Sequence, residues 1–209
     1  ALPAAWAEPG EEATNHDAGA QGADAAGAGA GDNVLVTIPG NHNKVMGCDA
    51  DWAPECEKAA LTRDATGVYT ATFTLPAGDY EYKVAEGGSW DASYGQGGAA
   101  GGANIAYSLK EETAVTFYYN HATHRVWNNV SDQMVTLPGS FQKDLGCADN
   151  WKPECLAPLL EPVGGGTYTY ETTALPEGTY ELKVAVGGSW DENYGQDGAA
   201  GGANYQFAT

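Results

Sequence analysis

The feature that most constrains this chain is that it is written twice. "VTIPGNHNKVMGCDADWAPEC", starting at Val36, returns as "VTLPGSFQKDLGCADNWKPEC", starting at Val135. "LPAGDYEYKVAEGGSWDASYGQGGAAGGANI", starting at Leu75, returns as "LPEGTYELKVAVGGSWDENYGQDGAAGGANY", starting at Leu175. The offset is 99 residues before a one-residue slip between Tyr69 and Leu75, and 100 after it. A tandem duplication requires each copy of about 100 residues to close a core of its own. We therefore expect a first domain at 33–129 and a second at 130–209, preceded by a segment at 1–32. Ala and Gly fill twelve of the fourteen positions from 18 to 31, so 1–32 reads as a flexible tether with little to bury. Its Ala5-Trp6-Ala7 has the small-x-small pattern of a signal-peptidase site and reads as the remnant of an export signal. Between the copies, "TFYYNHATHRVWNNVSDQMVTLPG" runs from strand to strand without a linker, which predicts two close, partly fixed domains.

Within each copy the apolar period is two. "VYTATFTLP" and "DYEYKVA" alternate across a "PAG" turn, and "NIAYSL", "AVTFYYN" and "HRVW" add further short strands. Short strands, frequent turn signals and no amphipathic helical run predict an all-β chain of two tandem immunoglobulin-like antiparallel β-sandwiches. The segment "NKVMGCDADWAPEC" lacks a strand pattern and is expected to hold a short helical turn. The first copy has a terminal hairpin, Val115 to Trp127, whereas the second stops at Thr209. The second sandwich is expected to lack that hairpin and to expose a sheet edge, as a piece of something longer.

Charge and cysteine usage narrow the setting. With 9 basic against 28 acidic side chains, the formal charge of -19 repels phosphate backbones and anionic lipid. Nucleic acid is not an expected partner, and no apolar run reaches the roughly 20 residues that membrane insertion needs. Cys48 with Cys56 and Cys147 with Cys155 share one spacing, and an oxidised pair in each copy is the simplest reading. A zinc site would need two further matched ligands per copy.

The aromatic residues carry the functional argument. Trp52 and Trp151 lie inside the Cys-to-Cys loops, and Trp90 and Trp190 in Gly-rich loops beside Asp91 and Asp191, with Tyr94 and Tyr194 four residues on. A loop Trp can plug the end of a small sandwich. Sugars, however, offer apolar C–H faces edged by hydroxyls, and a site for them needs exposed aromatic planes with short polar neighbours. "SWDENYG" supplies both, with Trp190 and Tyr194 as platforms and Asp191 and Asn193 as hydroxyl partners. Lys83 and Lys183 are candidate donors, although their strands place them equally well on a solvated face.

These motifs resemble a family. The "SWDENYG" loop followed by "GGAN", the "LPGSFQKDLGC" opening, the Trp-x-Pro-Glu-Cys loop and the "VTFYYN" strand are similar to starch-binding sandwich modules that occur in tandem ahead of the catalytic domain of bacterial pullulanases, with relatives in cell-surface starch-binding proteins. The resemblance covers nearly all of residues 33–209. It implies a secreted or cell-surface, monomeric, noncatalytic module that needs no cofactor and binds starch, amylopectin, maltooligosaccharides or pullulan, with a catalytic domain in the same full-length chain. It leaves open whether Trp90, Tyr94, Trp190 and Tyr194 or Trp52 and Trp151 touch sugar. Ala92 and Ser93 in the first copy face Glu192 and Asn193 in the second, so the two sites need not be equal.

Other readings fit less well. A glycosidase needs two flanking carboxylates, and no such pair in the aromatic loop is shared by both copies. All four histidines lie at or before His124, and no Ser-His-Asp order repeats. Asp191, Asn193 and Asp197 have calcium-loop spacing, but the twin loses two of the three. His121 and His124 read as solvated turn residues. The main competitor is an immunoglobulin-like spacer or protein-interaction pair.

Overall fold

The computed structural model describes residues 34–209; the tether and Ala5-Trp6-Ala7 lie outside the described residues. The first module contains β1 (Val36–Thr37), β2 (Thr62–Arg63), β3 (Val68–Leu75), β4 (Gly78–Tyr82), β5 (Val84–Glu86), β6 (Ala92–Tyr94), β7 (Ile105–Leu109), β8 (Thr113–Asn120) and β9 (Val126–Asn128). The second contains β10 (Val135–Thr136), β11 (Glu161–Gly164), β12 (Thr167–Thr169), β13 (Thr179–Leu182), β14 (Val184–Val186), β15 (Glu192–Tyr194) and β16 (Tyr205–Ala208). Pairing is antiparallel throughout. One sheet of the first sandwich runs β2-β3-β8-β9; the other combines β1-β5-β6 with β4-β7, since only Lys83 separates β4 from β5. The second module repeats this face as β10-β14-β15 and β13-β16, with a β11-β12 hairpin opposite. Among its described residues no strand corresponds to β8 or β9.

The pleat explains the core. In β8 the alternate residues Val115, Phe117 and Tyr119 are fully buried. Across the sandwich they meet Tyr80 and Tyr82 of β4 and Tyr107 and Leu109 of β7, all buried. The Phe117 ring packs edge-on against Tyr82 at 4.9 Å, His42 at 5.3 Å and Tyr107 at 5.8 Å, centroid to centroid. Such aromatic contacts add about 0.5–1.5 kcal/mol each beyond the area they bury.

His42 is the polar member of this core. Its Nε2 donates to the Ile38 carbonyl at 3.0 Å, which leaves Nδ1 to accept from the Tyr107 hydroxyl at 2.8 Å. Burial lowers its pKa to about 4, so the imidazole is neutral. The second module fills the same two places with Phe141 and Phe207, packed edge-on at 5.7 Å. A hydrogen-bonded pair in one copy has become an apolar pair in the other.

The modules share a second cluster in which Val68 and Trp127 of the first meet Leu156 and Leu159 of the second. Trp127 is 1% exposed, stacks on Tyr118 at 5.0 Å and lies 4.6 Å beneath the Arg125 guanidinium. Arg125 in turn donates to the Leu160 carbonyl and to Glu161, both at 3.1 Å. Residues 34–209 accordingly form one compact unit.

The second module departs from the expected strand pattern at the counterpart of β3. Only Thr167–Thr169 pairs, whereas β3 pairs with β8 from Val68 to Leu75. A strand segment needs a partner for its backbone, and here the partner strand is missing from the described residues.

Candidate functional site at the loop tryptophans

Two separate loops deliver tryptophans to one place in the first module. The first is the turn-rich segment between Gly40 and Cys56, whose only helical turn, Glu57–Ala59, follows the cysteine. Its organiser is buried Asn43, which donates to the Ile38 carbonyl at 3.0 Å and accepts from Gly40 N–H at 3.0 Å and Ala53 N–H at 3.2 Å. Asp51 accepts from Lys44 N–H at 2.9 Å, and the Cys48–Cys56 disulfide closes the loop. Trp52 N–H donates to the Gly40 carbonyl at 2.9 Å with φ of 59°. Such a backbone costs a bulky residue on the order of 1–3 kcal/mol and persists only when its surroundings hold it. Gly40 is required because a Cβ there would run into the Glu81 carbonyl.

The second module builds the same loop from other residues. Gln142 replaces Asn43, accepting from Gly139 N–H at 3.3 Å and Lys152 N–H at 2.7 Å, and Asn150 replaces Asp51, accepting from Lys143 N–H at 2.9 Å. Cys147 and Cys155 are bonded, and Trp151 keeps the left-handed backbone with φ of 61°. Both disulfides expected from the spacing are present.

The second loop is the β5–β6 turn, where Gly87 and Gly88 take positive φ and present Trp90, 43% exposed. Trp52 and Trp90 lie 6.5 Å apart, centroid to centroid, tilted by 38°. They line an open cavity of about 340 Å³ with Lys83 and Asn104. Thus the two tryptophan sets that the sequence offered as alternatives belong together in this module. Trp190 is 41% exposed at the matching turn.

Sequence reasoning missed Asn104. Its Nδ2 donates to Glu81 at 3.0 Å, and Asn204 donates to Glu181 at the same 3.0 Å. Bonds from Asn204 and then Gln206 hold the Glu181 carboxyl below the usual range. The signal was available, because Glu81, Asn104, Glu181 and Asn204 all stand in matched places in the repeat. The Lys83 ammonium reaches toward the Gly101 carbonyl at 3.5 Å, and Lys183 donates to Asn193 at 3.3 Å.

The remaining candidates lie elsewhere or face inward. Tyr94 stacks on His124, with centroids 3.9 Å apart and 5° between planes, and packs against the core. The Tyr119 hydroxyl donates to Glu86 at 2.9 Å and accepts from His124 Nδ1 at 2.8 Å, while His121 donates to the same carboxylate at 2.6 Å. This corrects the solvated reading for His124, which is a half-buried stacking partner; His121 is exposed as expected and also partners Glu86. Tyr194 donates to Glu192 at 2.9 Å. Asp91 and Asp191 each accept from the serine two residues before at 3.1 Å, bracing the turns that carry Trp90 and Trp190. Among the described residues no three His, Cys, Asp or Glu side chains group as a metal site would require.

Fold and site together define a tandem β-sandwich module with exposed loop tryptophans. The chain belongs to the pullulanase X25 domain family, whose model matches residues 35–126 and again 134–209. It is 35% identical over 179 residues to an amylopullulanase of Thermoanaerobacter thermohydrosulfuricus, covering 82% of this chain and 12% of that one. It is 32% identical over 184 residues to an amylopullulanase of Thermoanaerobacterium thermosulfurigenes, covering 84% of this chain and 10% of that one. The chain thus spans only about a tenth of the length of these relatives. A solved pullulanase from Bacillus acidopullulyticus aligns over 76% of this chain and 16% of its own, with 23% identity and a TM-score of 0.43.

Proposed function

We propose that this chain is a noncatalytic carbohydrate-binding pair that holds starch-like α-glucans beside a catalytic domain of the same extracellular protein. The domains are those of the repeat, 33–129 and 130–209, each with its own site. The observation that carries the proposal is the convergence of Trp52 and Trp90 on one open cavity with Lys83 and Asn104.

Two indoles can cover the apolar faces of neighbouring pyranoses, with the ammonium and amide left to meet hydroxyls. Successive glucose rings of an α-1,4 chain turn relative to one another, so platforms tilted by 38° follow them better than they follow a flat β-1,4 ribbon. The acidic surface does not oppose a neutral polymer, and the relatives' name, amylopullulanase, points to α-glucans. A single site of this size is expected to bind with Kd on the order of 0.1 mM, about -5.5 kcal/mol. Two sites on one polymer raise the apparent affinity by roughly a hundredfold when both engage.

Depletion from solution by insoluble starch, with cellulose as control and maltooligosaccharide as competitor, tests this directly. The intact chain should be depleted by starch alone, and Trp90→Ala with Trp190→Ala should lose at least about tenfold in affinity. A folded, oxidised chain that ignores starch refutes the proposal and leaves a spacer or protein-interaction pair in its place.

A further inference from the structure

Three cavities adjoin one another between the tryptophans of the two modules. The Trp52–Trp90 cavity of about 340 Å³ has Asn104 in its wall. Asn104 also lines a neighbouring cavity of about 350 Å³, which continues past Gln96 and Ala106 to Ser131 and Asp132. Those two residues in turn line a third cavity, of about 570 Å³, which reaches across the module junction to Asp191 and Glu192. In sequence Asp191 and Glu192 directly follow Trp190 at the β14–β15 turn.

The connection that crosses this path is a fixed ridge. Asn128 Oδ1 accepts from Val130 N–H and Ser131 N–H, both at 2.9 Å, and from the Ser131 hydroxyl at 3.1 Å. Its Nδ2 donates to the buried Tyr82 hydroxyl at 3.2 Å, and Asn129 is tied to β8 through Thr116 N–H at 2.9 Å. On the far side Gly187 N–H donates to the Met134 carbonyl at 2.8 Å, which joins the connection to the Trp190 turn. A ligand lying here meets groups that are already ordered, so little entropy is lost in ordering them.

The lining selects the ligand. Among the described residues neither Lys nor Arg lines the second or third cavity, whereas Asp132, Asp191 and Glu192 line the third, so an anionic ligand is repelled. These carboxylates do not group as a metal site would require. The exposed amides of Gln96 and Gln133 and the Ser131 hydroxyl, set among Ile105, Val130 and Tyr118, suit a neutral chain with hydroxyl edges and apolar faces. The repeat agrees: Glu192, at the junction, stands where the first module has Ala92.

We propose that these three cavities form one trough across both modules, in which a single α-glucan chain lies from Trp52 and Trp90, past Asn104 and the Ser131–Asp132 ridge, to the turn that carries Trp190. This rests on the glucan-binding function proposed above and goes beyond two sites that share a polymer, because the sugar between the tryptophans is itself held. The pair therefore selects long linear chains over short oligosaccharides.

Calorimetric titration of the intact chain with maltotriose and with maltohexadecaose tests this, the longer sugar exceeding the width of one module, about 35 Å. Maltohexadecaose should bind at least about thirtyfold more tightly than maltotriose. Two double variants alter the middle of the trough without touching a tryptophan: Ser131→Leu with Gln96→Leu fills it, and Gln96→Ala with Gln133→Ala strips it of amides. Both should keep the maltotriose affinity and lose at least about tenfold for maltohexadecaose. If both variants keep the original affinity for maltohexadecaose, the proposal is overturned, because the long chain then joins two separate sites without being held between them. It is equally overturned if the original chain binds maltohexadecaose no more tightly than maltotriose. A folded chain that binds neither sugar refutes the glucan-binding function itself, and the trough with it.

Discussion

Replacing Cys48 and Cys56 by serine asks whether the site depends on a loop held in place. The bridge spans a sequence separation of 8 with Trp52 inside it. Loop-closure entropy for that length gives a stabilisation of about 2.5 kcal/mol, through restriction of the unfolded chain. For a cooperative unit the size of residues 34–209, that corresponds to a fall in Tm of about 5–10 °C. The functional consequence is separate. Trp52 occupies a strained backbone that the Asn43 network and the disulfide maintain, and a loosened loop must order it again on binding. Ordering one residue costs about 1–2 kcal/mol, so affinity for maltoheptaose should fall about 5- to 30-fold. Calorimetry supplies both numbers, by scanning for Tm and by titration for Kd. A chain whose Tm falls while its affinity is unchanged would refute the idea that the loop presents Trp52 to the sugar. An unchanged Tm would show that Asn43 holds the loop without the disulfide.

Trp127→Ala should cost about 3–5 kcal/mol, because the ring is buried between the modules, and should resolve thermal unfolding into two transitions while starch binding by each folded module persists. The neutral burial of His42 makes stability pH-dependent with a definite sign: its folded pKa lies below its unfolded value of 6.5, so its stabilisation is complete above pH 6.5 and is lost as pH falls toward about 4. The double variant His42→Phe with Tyr107→Phe, which copies Phe141 and Phe207, should flatten denaturation midpoints across that window while leaving stability at pH 8 within about 1–2 kcal/mol. An unaltered pH slope would place the titrating group elsewhere.

Much of this protein was legible before any coordinates. Period-two alternation in "TAVTFYYN" can bury one face only as a strand, and Val115, Phe117 and Tyr119 do face inward. The matched Cys spacings are short enough to close locally, and both pairs are bonded. What depends on the near sequence neighbours of a residue, its strand face, its turn and its short loop, was encoded where it could be read. The association of Trp52 with Trp90 was not, since 37 intervening residues separate loops that only the sandwich folds to the same end. Nor was the fate of Tyr94, four residues from Trp90 in sequence yet stacked on His124, because Trp90 lies in the turn before β6 whereas His124 is brought to Tyr94 from the distant turn between β8 and β9. The Glu81–Asn104 pair escaped notice because β4 and the residue leading into β7 become neighbours only in the folded sheet. The sequence by itself determined the repeat, the all-β class, the disulfides and the matched loop aromatics, because those follow from local pattern. Only the tertiary structure decided which of those tryptophans meet and which tyrosines turn inward, because both depend on which strand lies against which.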